Sequence, residues 1–392
     1  MSSRKKIFFL CSRIPYPLEK GDKLRVYHQM RHLSKNNDVY LCVVSNQKLS
    51  DSARDELEKI CVKLFVYEST VSSILSNLII SFFSRLPFQV GYFFNSGADF
   101  FIKKAVASVK PDHLFVQLLR MSEYVKNIEG IPKTLDYMDS FSMGMKRRKE
   151  KEKSLKKWLY HLENKSLERY ERDIFPYFDH HMIISEQDKN SLVFEDAKKI
   201  HVVPNGVDTE FFAPNSNIEK KYDIIFTGNM SYPPNVAAVE IIANEILPLV
   251  WKTRPTCNLL IAGSEPSNVV KALANDKITV TGWMDDIRSA YHEGRICLTP
   301  LNIGTGLQNK ILEAMSMEIP CITSELANNA LNASPDKEIL IGKDPADYAA
   351  IVLRLLDDIN EQKRIGAAGK QYVFNNYHWE SIVAKMESIM EL

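Results

Sequence analysis

The chain has 392 residues, 45% of them apolar and 25% charged, with 50 Lys plus Arg against 49 Asp plus Glu. That length exceeds one ordinary core and fits two α/β domains, and the balanced charge excludes a global pull toward nucleic acid, so any affinity for anions is local. Cys11, Cys42, Cys61, Cys257, Cys297 and Cys321 sit mostly in apolar runs without C-x-x-C spacing, which reads as buried thiols of a reducing compartment and not as a disulfide or zinc framework.

The first apolar run, residues 7–11, is too short for a signal peptide and is followed by Arg13 and two prolines, so it is read as a first buried strand. Further strands are predicted at 39–44, 63–67, 113–117, 134–138 and 181–185, with a helix over 24–33 and helical sequence between the others. Strand and helix in alternation imply a parallel sheet covered on both faces. Gly21, Asp22 and Lys23 lie between the first strand and its helix, placed to reach a ligand across a cleft; Asp22 also suits an N-cap, and the two roles are compatible.

Residues 74–94 carry Leu75, Leu78, Ile79, Phe82, Phe83, Leu86 and Phe88 with Arg85, a pattern for an amphipathic helix that either lies on a membrane surface or is buried in the first core. The apolar stretch at 74–83 is about half the ~20 residues a spanning helix needs, so no membrane span is expected. Asp136 and Asp139 close the strand at 134–138 and are candidate catalytic carboxylates. Residues 146–175 predict one long surface helix with paired charges. His180 and His181, adjacent on a strand, point to opposite faces and read as structural, not as a metal pair.

A strand at His201-Val202-Val203 runs into Pro204-Asn205-Gly206 and a polar stretch, which marks a domain boundary. The predicted organisation is a Rossmann-like domain at 1–205 and a second at 206–375, with a helix at about 376–392 packing back on the first. Strands of the second domain are predicted at 224–227, 258–262, 278–281, 296–299, 321–323 and 339–341. The fold class is therefore α/β, two Rossmann-like domains facing across a cleft, with ligands outside the strand carboxyl ends.

Three of those ends carry glycine: Gly228-Asn229, Gly282-Trp283-Met284, and Gly304-Thr305-Gly306. The last is a loop leading through Leu307, Gln308 and Asn309 into a short helix that bears Lys310 and Glu313 on one face. Glycines let backbone N–H groups approach an anion, the helix N-terminus adds its dipole, and Lys310 adds a full charge, a combination suited to a nucleotide diphosphate. Glu313 offers two acceptor oxygens for a ribose diol. The chain has no Asp-x-Asp pair for a divalent metal, no G-x-G-x-x-G after its first strand and no P-loop motif.

Residues 200–324 resemble the C-terminal domain of GT-B-fold retaining glycosyltransferases, of the group 1 or family 4 type that builds bacterial surface polysaccharides. The resemblance rests on Pro204-Asn205-Gly206-Val207-Asp208, Phe226-Thr227-Gly228, Val280-Thr281-Gly282-Trp283, and Leu312-Glu313-Ala314-Met315 followed by Ile319-Pro320. Arg13-Ile14-Pro15-Tyr16-Pro17 and residues 20–25 are similar to the sugar transferases of exopolysaccharide and exosortase systems.

The resemblance implies that Glu313 binds the ribose, that residues 304–309 hold the diphosphate and sugar, and that the backbone of Gly282, Trp283 and Met284 reads the base. It implies a UDP- or GDP-sugar donor, a glycan or lipid-linked acceptor, no cofactor and no metal. It further implies work in the cytoplasm, with peripheral contact at the inner membrane, in polysaccharide or glycoconjugate synthesis. The chain departs from the family in two places. Thr305 stands where the first of two glutamates is usual, and the basic pair that usually follows Gly228 is replaced by residues 229–235, which leaves Lys310 as the leading cation for the departing diphosphate. No His lies near Asp136, so the catalytic base stays open. A sugar-nucleotide epimerase or phosphorylase of the same fold, or a non-catalytic sugar-nucleotide-binding protein, are the alternatives.

Overall fold

Strand–helix alternation resolves into two parallel sheets, each in its own compact unit: Met1–Asn205 with Ile382–Leu392, and Gly206–Ser381. The computed structural model describes residues 4–69, 86–152, 154, 156–215, 217–302 and 307–392.

The strands of the first unit are β1 (Lys6–Cys11), β2 (Asp38–Ser45), β3 (Lys63–Glu68), β4 (His113–Gln117), β5 (Lys133–Asp136), β6 (His180–Ile183) and β7 (His201–Val202). They pair in the order β3-β2-β1-β4-β5-β6-β7. Ile7, Phe8, Phe9 and Leu10 in β1 are all buried, because helices cover both faces and leave no polar side for an alternating pattern. Strand order reverses between β1 and β4, and the crevice at the carboxyl ends of such a pair is where ligands of these sheets sit.

The second unit repeats the plan with β8 (Tyr222–Thr227), β9 (Leu259–Ala262), β10 (Ile278–Val280), β11 (Gly294–Thr299), β12 (Cys321–Thr323) and β13 (Leu340–Ile341), ordered β10-β9-β8-β11-β12-β13. Its reversal lies between β8 and β11. All six cysteines are buried and free of disulfides.

The chain returns to the first unit at Ile382, in the first turn of the helix Trp379–Met390. There Glu387 accepts from Asn37 Nδ2 at 2.9 Å and Lys385 Nζ donates to the Val202 carbonyl at 2.7 Å.

Two sequence expectations change. The predicted helix at 146–175 is two helices, Phe141–Lys151 and Lys156–Asp173, because Glu152 takes an extended conformation. The pair lies side by side: Asn164 Nδ2 donates to the Ser142 carbonyl at 2.9 Å, and Glu171 accepts from the Ser142 N–H at 3.0 Å, contacts a single straight helix could not make. The strand predicted to reach 138 stops at Asp136, since Met138 turns to φ 62°.

Of the apolar stretch at 74–94, residues 74–85 lie outside the described residues. Leu86 packs on the first core, and the short helix Phe88–Phe93 is anchored at its start by the Glu163 carboxylate, which accepts from the N–H groups of Phe88 and Gln89 at 2.9 Å each. No described helix is long and apolar enough to cross a membrane.

Candidate active site

The helix Asn309–Ser316 follows from its pattern: Ile311, Leu312, Ala314 and Met315 are buried on one side, which leaves Lys310 and Glu313 together on another. Gln308 provides no side-chain cap, so N–H groups of the first turn remain for other acceptors.

Lys310 reaches the carboxyl end of β8. Its ammonium donates to Asn235 Oδ1 and lies 4.5 Å from the centre of the Phe226 ring, a cation–π contact. Asn235, buried in the helix Pro233–Ile241, donates its Nδ2 to the Asn229 carbonyl at 2.8 Å and so holds Lys310 against the turn at Gly228. That turn needs glycine. Gly228 stands at φ 147°, and an added Cβ would lie 2.8 Å from the Asn235 amide and 3.2 Å from the Lys310 ammonium. Behind it Gly263, at φ 137°, would drive a Cβ to 1.9 Å from the Gly228 carbonyl oxygen.

Glu313 is oriented by a short relay. Tyr291, fully buried, donates its hydroxyl to Glu313 Oε2 at 2.7 Å, and the Thr227 hydroxyl at the end of β8 stands 2.7 Å from the same phenol oxygen. With one phenolic proton committed to the carboxylate, Thr227 is the donor in that second contact.

Electrostatics separate the two groups. Desolvation lowers Lys310 to about 8, opposed by the weaker pull of Cys297 and Glu313. Burial raises Glu313 above its ordinary value, while the Tyr291 hydrogen bond and Lys310 hold it down. A half-buried ammonium whose hydrogen-bond partner is neutral is poised to accept an anion, and a carboxylate fixed by a tyrosine presents its free oxygen to a diol.

The other predicted residues fall as follows. Gly282, at φ 78°, accepts at its carbonyl from the Gly263 N–H at 3.1 Å, so Gly228, Gly263 and Gly282 form one backbone cluster. Trp283 is 71% exposed, and Met284 leans on the second core. Gly304, Thr305 and Gly306 lie outside the described residues; Leu307, Gln308 and Asn309 lead into the helix. Asn229 Nδ2 donates to Glu265 at 3.2 Å, and Asn229 Oδ1 accepts from the Ser231 N–H and hydroxyl at 2.7 Å each.

In the first unit, Asp22 is not the N-cap of the helix Gly21–Leu33; Lys20 holds that position without a side-chain bond. Asp22 lies in the first turn, where Arg13 donates to its carboxylate and Arg120 stands 3.6 Å away. Lys23 is buried. Asp136 is fully buried and committed to Arg25, through Nε at 2.7 Å and Nη2 at 3.3 Å, with Gln29 adding a third bond at 3.1 Å. An acid so enclosed has no face for an acceptor, and Asp136 is a structural ion pair instead of the catalytic carboxylate expected of it. Asp139 has an exposed surface while its carboxyl is crowded; desolvation and then Asp188 push it up to about 6.

His181 stacks on Phe175 at 3.7 Å, shares a 3.1 Å contact with the Phe178 carbonyl, and is lowered to about 4 by burial, a structural residue. Sequence reasoning missed Tyr291, Asn235 and Gly263. Only Gly263 left a signal, a glycine directly after the apolar run 259–262.

Residues 221–358 match the family described as Glycosyl transferases group 1. An uncharacterized 44.6 kDa protein in the cps region of Klebsiella pneumoniae is 23% identical over 402 residues, covering 97% of this chain and 98% of its own. The UDP-Gal:α-D-GlcNAc-diphosphoundecaprenol α-1,3-galactosyltransferase of Escherichia coli is 26% identical over 258 residues, covering 59% of this chain and 62% of its own. Among solved structures, Anabaena HepE in complex with UDP and glucose superposes with a TM-score of 0.68 at 12% identity, over 99% of this chain and 100% of that one. The group 1 glycosyltransferase match spans the Lys310–Glu313 helix, and the chain has the two-sheet GT-B fold of the solved structures it resembles.

Proposed function

We propose that the protein transfers a sugar from a nucleotide-diphosphate donor, UDP- or GDP-linked, to a glycan or lipid-linked acceptor in bacterial surface polysaccharide or glycoconjugate synthesis, with retention at the anomeric carbon and without a metal. The observation that carries this is Lys310: an ammonium pinned at the Gly228 turn by a neutral amide, three residues before a carboxylate that Tyr291 orients. Glu313 takes the ribose hydroxyls. Lys310 and the N–H groups at the start of its helix take the diphosphate, and they hold it more strongly as the sugar departs and charge grows on the leaving oxygen. That charge compensation stands in for a divalent ion.

The diphosphoundecaprenol-linked substrate of the E. coli relative supports a lipid-linked acceptor, and with it work at the cytoplasmic face of the inner membrane. The test is release of UDP or GDP from a panel of sugar nucleotides, with a lipid-linked glycan extract as acceptor and excess EDTA present, and the anomeric configuration of the product read by NMR. Acceptor-dependent release that survives EDTA with retained configuration is expected. Turnover that returns only with added divalent ion overturns the metal-independent scheme, and inverted product overturns retention.

A further inference from the structure

The first unit holds a cavity of about 420 Å³ lined by Ser12, Arg13, Lys23, Ser45, Tyr92 and Arg120, among others. Ser12 and Arg13 follow β1, Ser45 ends β2, and Arg120 follows β4, so the cavity opens at the carboxyl ends of the strands where this sheet reverses its order. Two polar groups in its wall lack a partner. The Ser12 hydroxyl, in a residue only 2% exposed, and Arg120 Nε make no hydrogen bond among the described residues. Arg120 has 11% of its side chain exposed. Both groups can donate, and buried donors are left unsatisfied only at a cost.

Charge points the same way. Arg13, Lys20, Lys23 and Arg120 line the cavity with Glu19 as the one acid in its wall among the described residues, and Asp22 beside it is shared between two guanidiniums. The Arg120 guanidinium carbon lies 4.4 Å from the centre of the Phe93 ring, a cation–π contact. It sits in the turn Leu119–Tyr124, entered through Leu118 at φ 71°, a backbone position unfavourable for leucine that persists where the surroundings enforce it.

We propose that this cavity binds a phosphate or diphosphate group carried by the acceptor, with Arg120 and Lys23 neutralising it and the Ser12 hydroxyl donating a hydrogen bond. The anion site stands on the geometry of the first unit; its assignment to the acceptor rests on the glycosyltransferase function proposed above.

The experiment uses the full chain carrying Lys310→Met, so that the donor-side ammonium is absent, and titrates inorganic pyrophosphate by calorimetry. Binding is expected to persist, and to weaken roughly tenfold to a hundredfold when Arg120→Met is added, the loss of one charge-assisted hydrogen bond. Arg120→Lys, which keeps the charge, is expected to recover part of it, and Ser12→Ala to weaken it several-fold. Geranyl diphosphate forms the second arm: tighter binding than pyrophosphate identifies a lipid-borne group, and equal binding identifies a site that reads the anion alone. In otherwise wild-type protein, Arg120→Met is expected to leave UDP affinity unchanged, which also reports that the variant is folded. Pyrophosphate affinity insensitive to Arg120→Met and Ser12→Ala alike overturns the site. A parallel loss of UDP affinity overturns the acceptor assignment and gives the cavity to the donor. UDP affinity unchanged by Lys310→Met alone counts against the proposed donor site and leaves the cavity untouched.

Discussion

The two units each bury a cation near the carboxyl end of a sheet, and they treat it in opposite ways. Arg25 is wholly enclosed and wholly partnered: the Asp136 carboxylate takes Nε and Nη2, while Asn205 Oδ1 at 3.0 Å and the Pro204 carbonyl at 3.2 Å take Nη1. Lys310 is given one neutral amide oxygen and an aromatic face. A cation with its counter-charge built in is a fastener between segments far apart in sequence; one left without a counter-charge is stabilised when an anion arrives. Partnership, more than burial, separates Arg25 from the candidate donor-site Lys310.

Breaking the fastener gives the largest expected effect. Asp136→Asn keeps the shape and removes the charge, which leaves the Arg25 guanidinium buried without compensation. The first unit is expected to lose about 3–5 kcal/mol of stability, read as a lowered midpoint in urea by tryptophan fluorescence and circular dichroism. A midpoint within error of wild type shows that Arg25 finds compensation elsewhere and that Asp136 is available for another role.

Removing the second cation is expected to do the reverse. Lys310→Met deletes a desolvated ammonium that has no hydrogen-bonded counter-ion and only the weaker attraction of Glu313, so stability is expected to hold or rise while the maximal rate falls on the order of a hundredfold, about 3 kcal/mol. Glu313→Gln is expected to raise the donor KM more than it lowers kcat, because a ribose contact is worth about the same in ground and transition states. Steady-state kinetics on both variants check the split. Unaltered rate and KM in both would mean that the helix Asn309–Ser316 is purely structural.

The contrast also explains what could be read from the chain alone. Apolar runs separated by helical stretches gave nearly every strand of both sheets, since burial on both faces writes itself into sequence as continuous hydrophobicity. Lys310 and Glu313 were legible because one helical turn sets their spacing. Tyr291 was not: its partners Thr227 and Glu313 lie 64 and 22 residues away, and only the folded sheet brings them within 2.7 Å. Asp136 misled for the same reason. A carboxylate at a strand end looks like a site until the fold delivers Arg25 from 111 positions earlier. Ser12 and Arg120 meet around a cavity that pairing of β1 with β4 creates, and no local pattern records that pairing.

The finest comparison is in protons. Desolvation holds Lys310 at about 8 against an ordinary 10.5, so between those values the unfolded chain keeps a proton that the folded protein has shed. This group's contribution to stability therefore rises with pH across that window, the opposite of a lysine that gains a carboxylate partner. A bound diphosphate supplies the missing counter-charge and raises Lys310 again. At pH 9 the terminal phosphate of UDP, with a second ionisation near pH ~6, is already fully charged and contributes no proton. UDP binding at that pH is thus expected to draw most of one proton onto Lys310, and to draw far less at pH 7, where the ammonium is already charged. Calorimetric titration at pH 9 in two buffers of different ionisation heat measures the uptake directly. It is expected to vanish in Lys310→Met and to persist in Asp136→Asn, a substitution in the other unit. No uptake in the wild-type protein at pH 9 would show that the diphosphate does not reach Lys310, and the contrast between the two cations would then be one of packing alone.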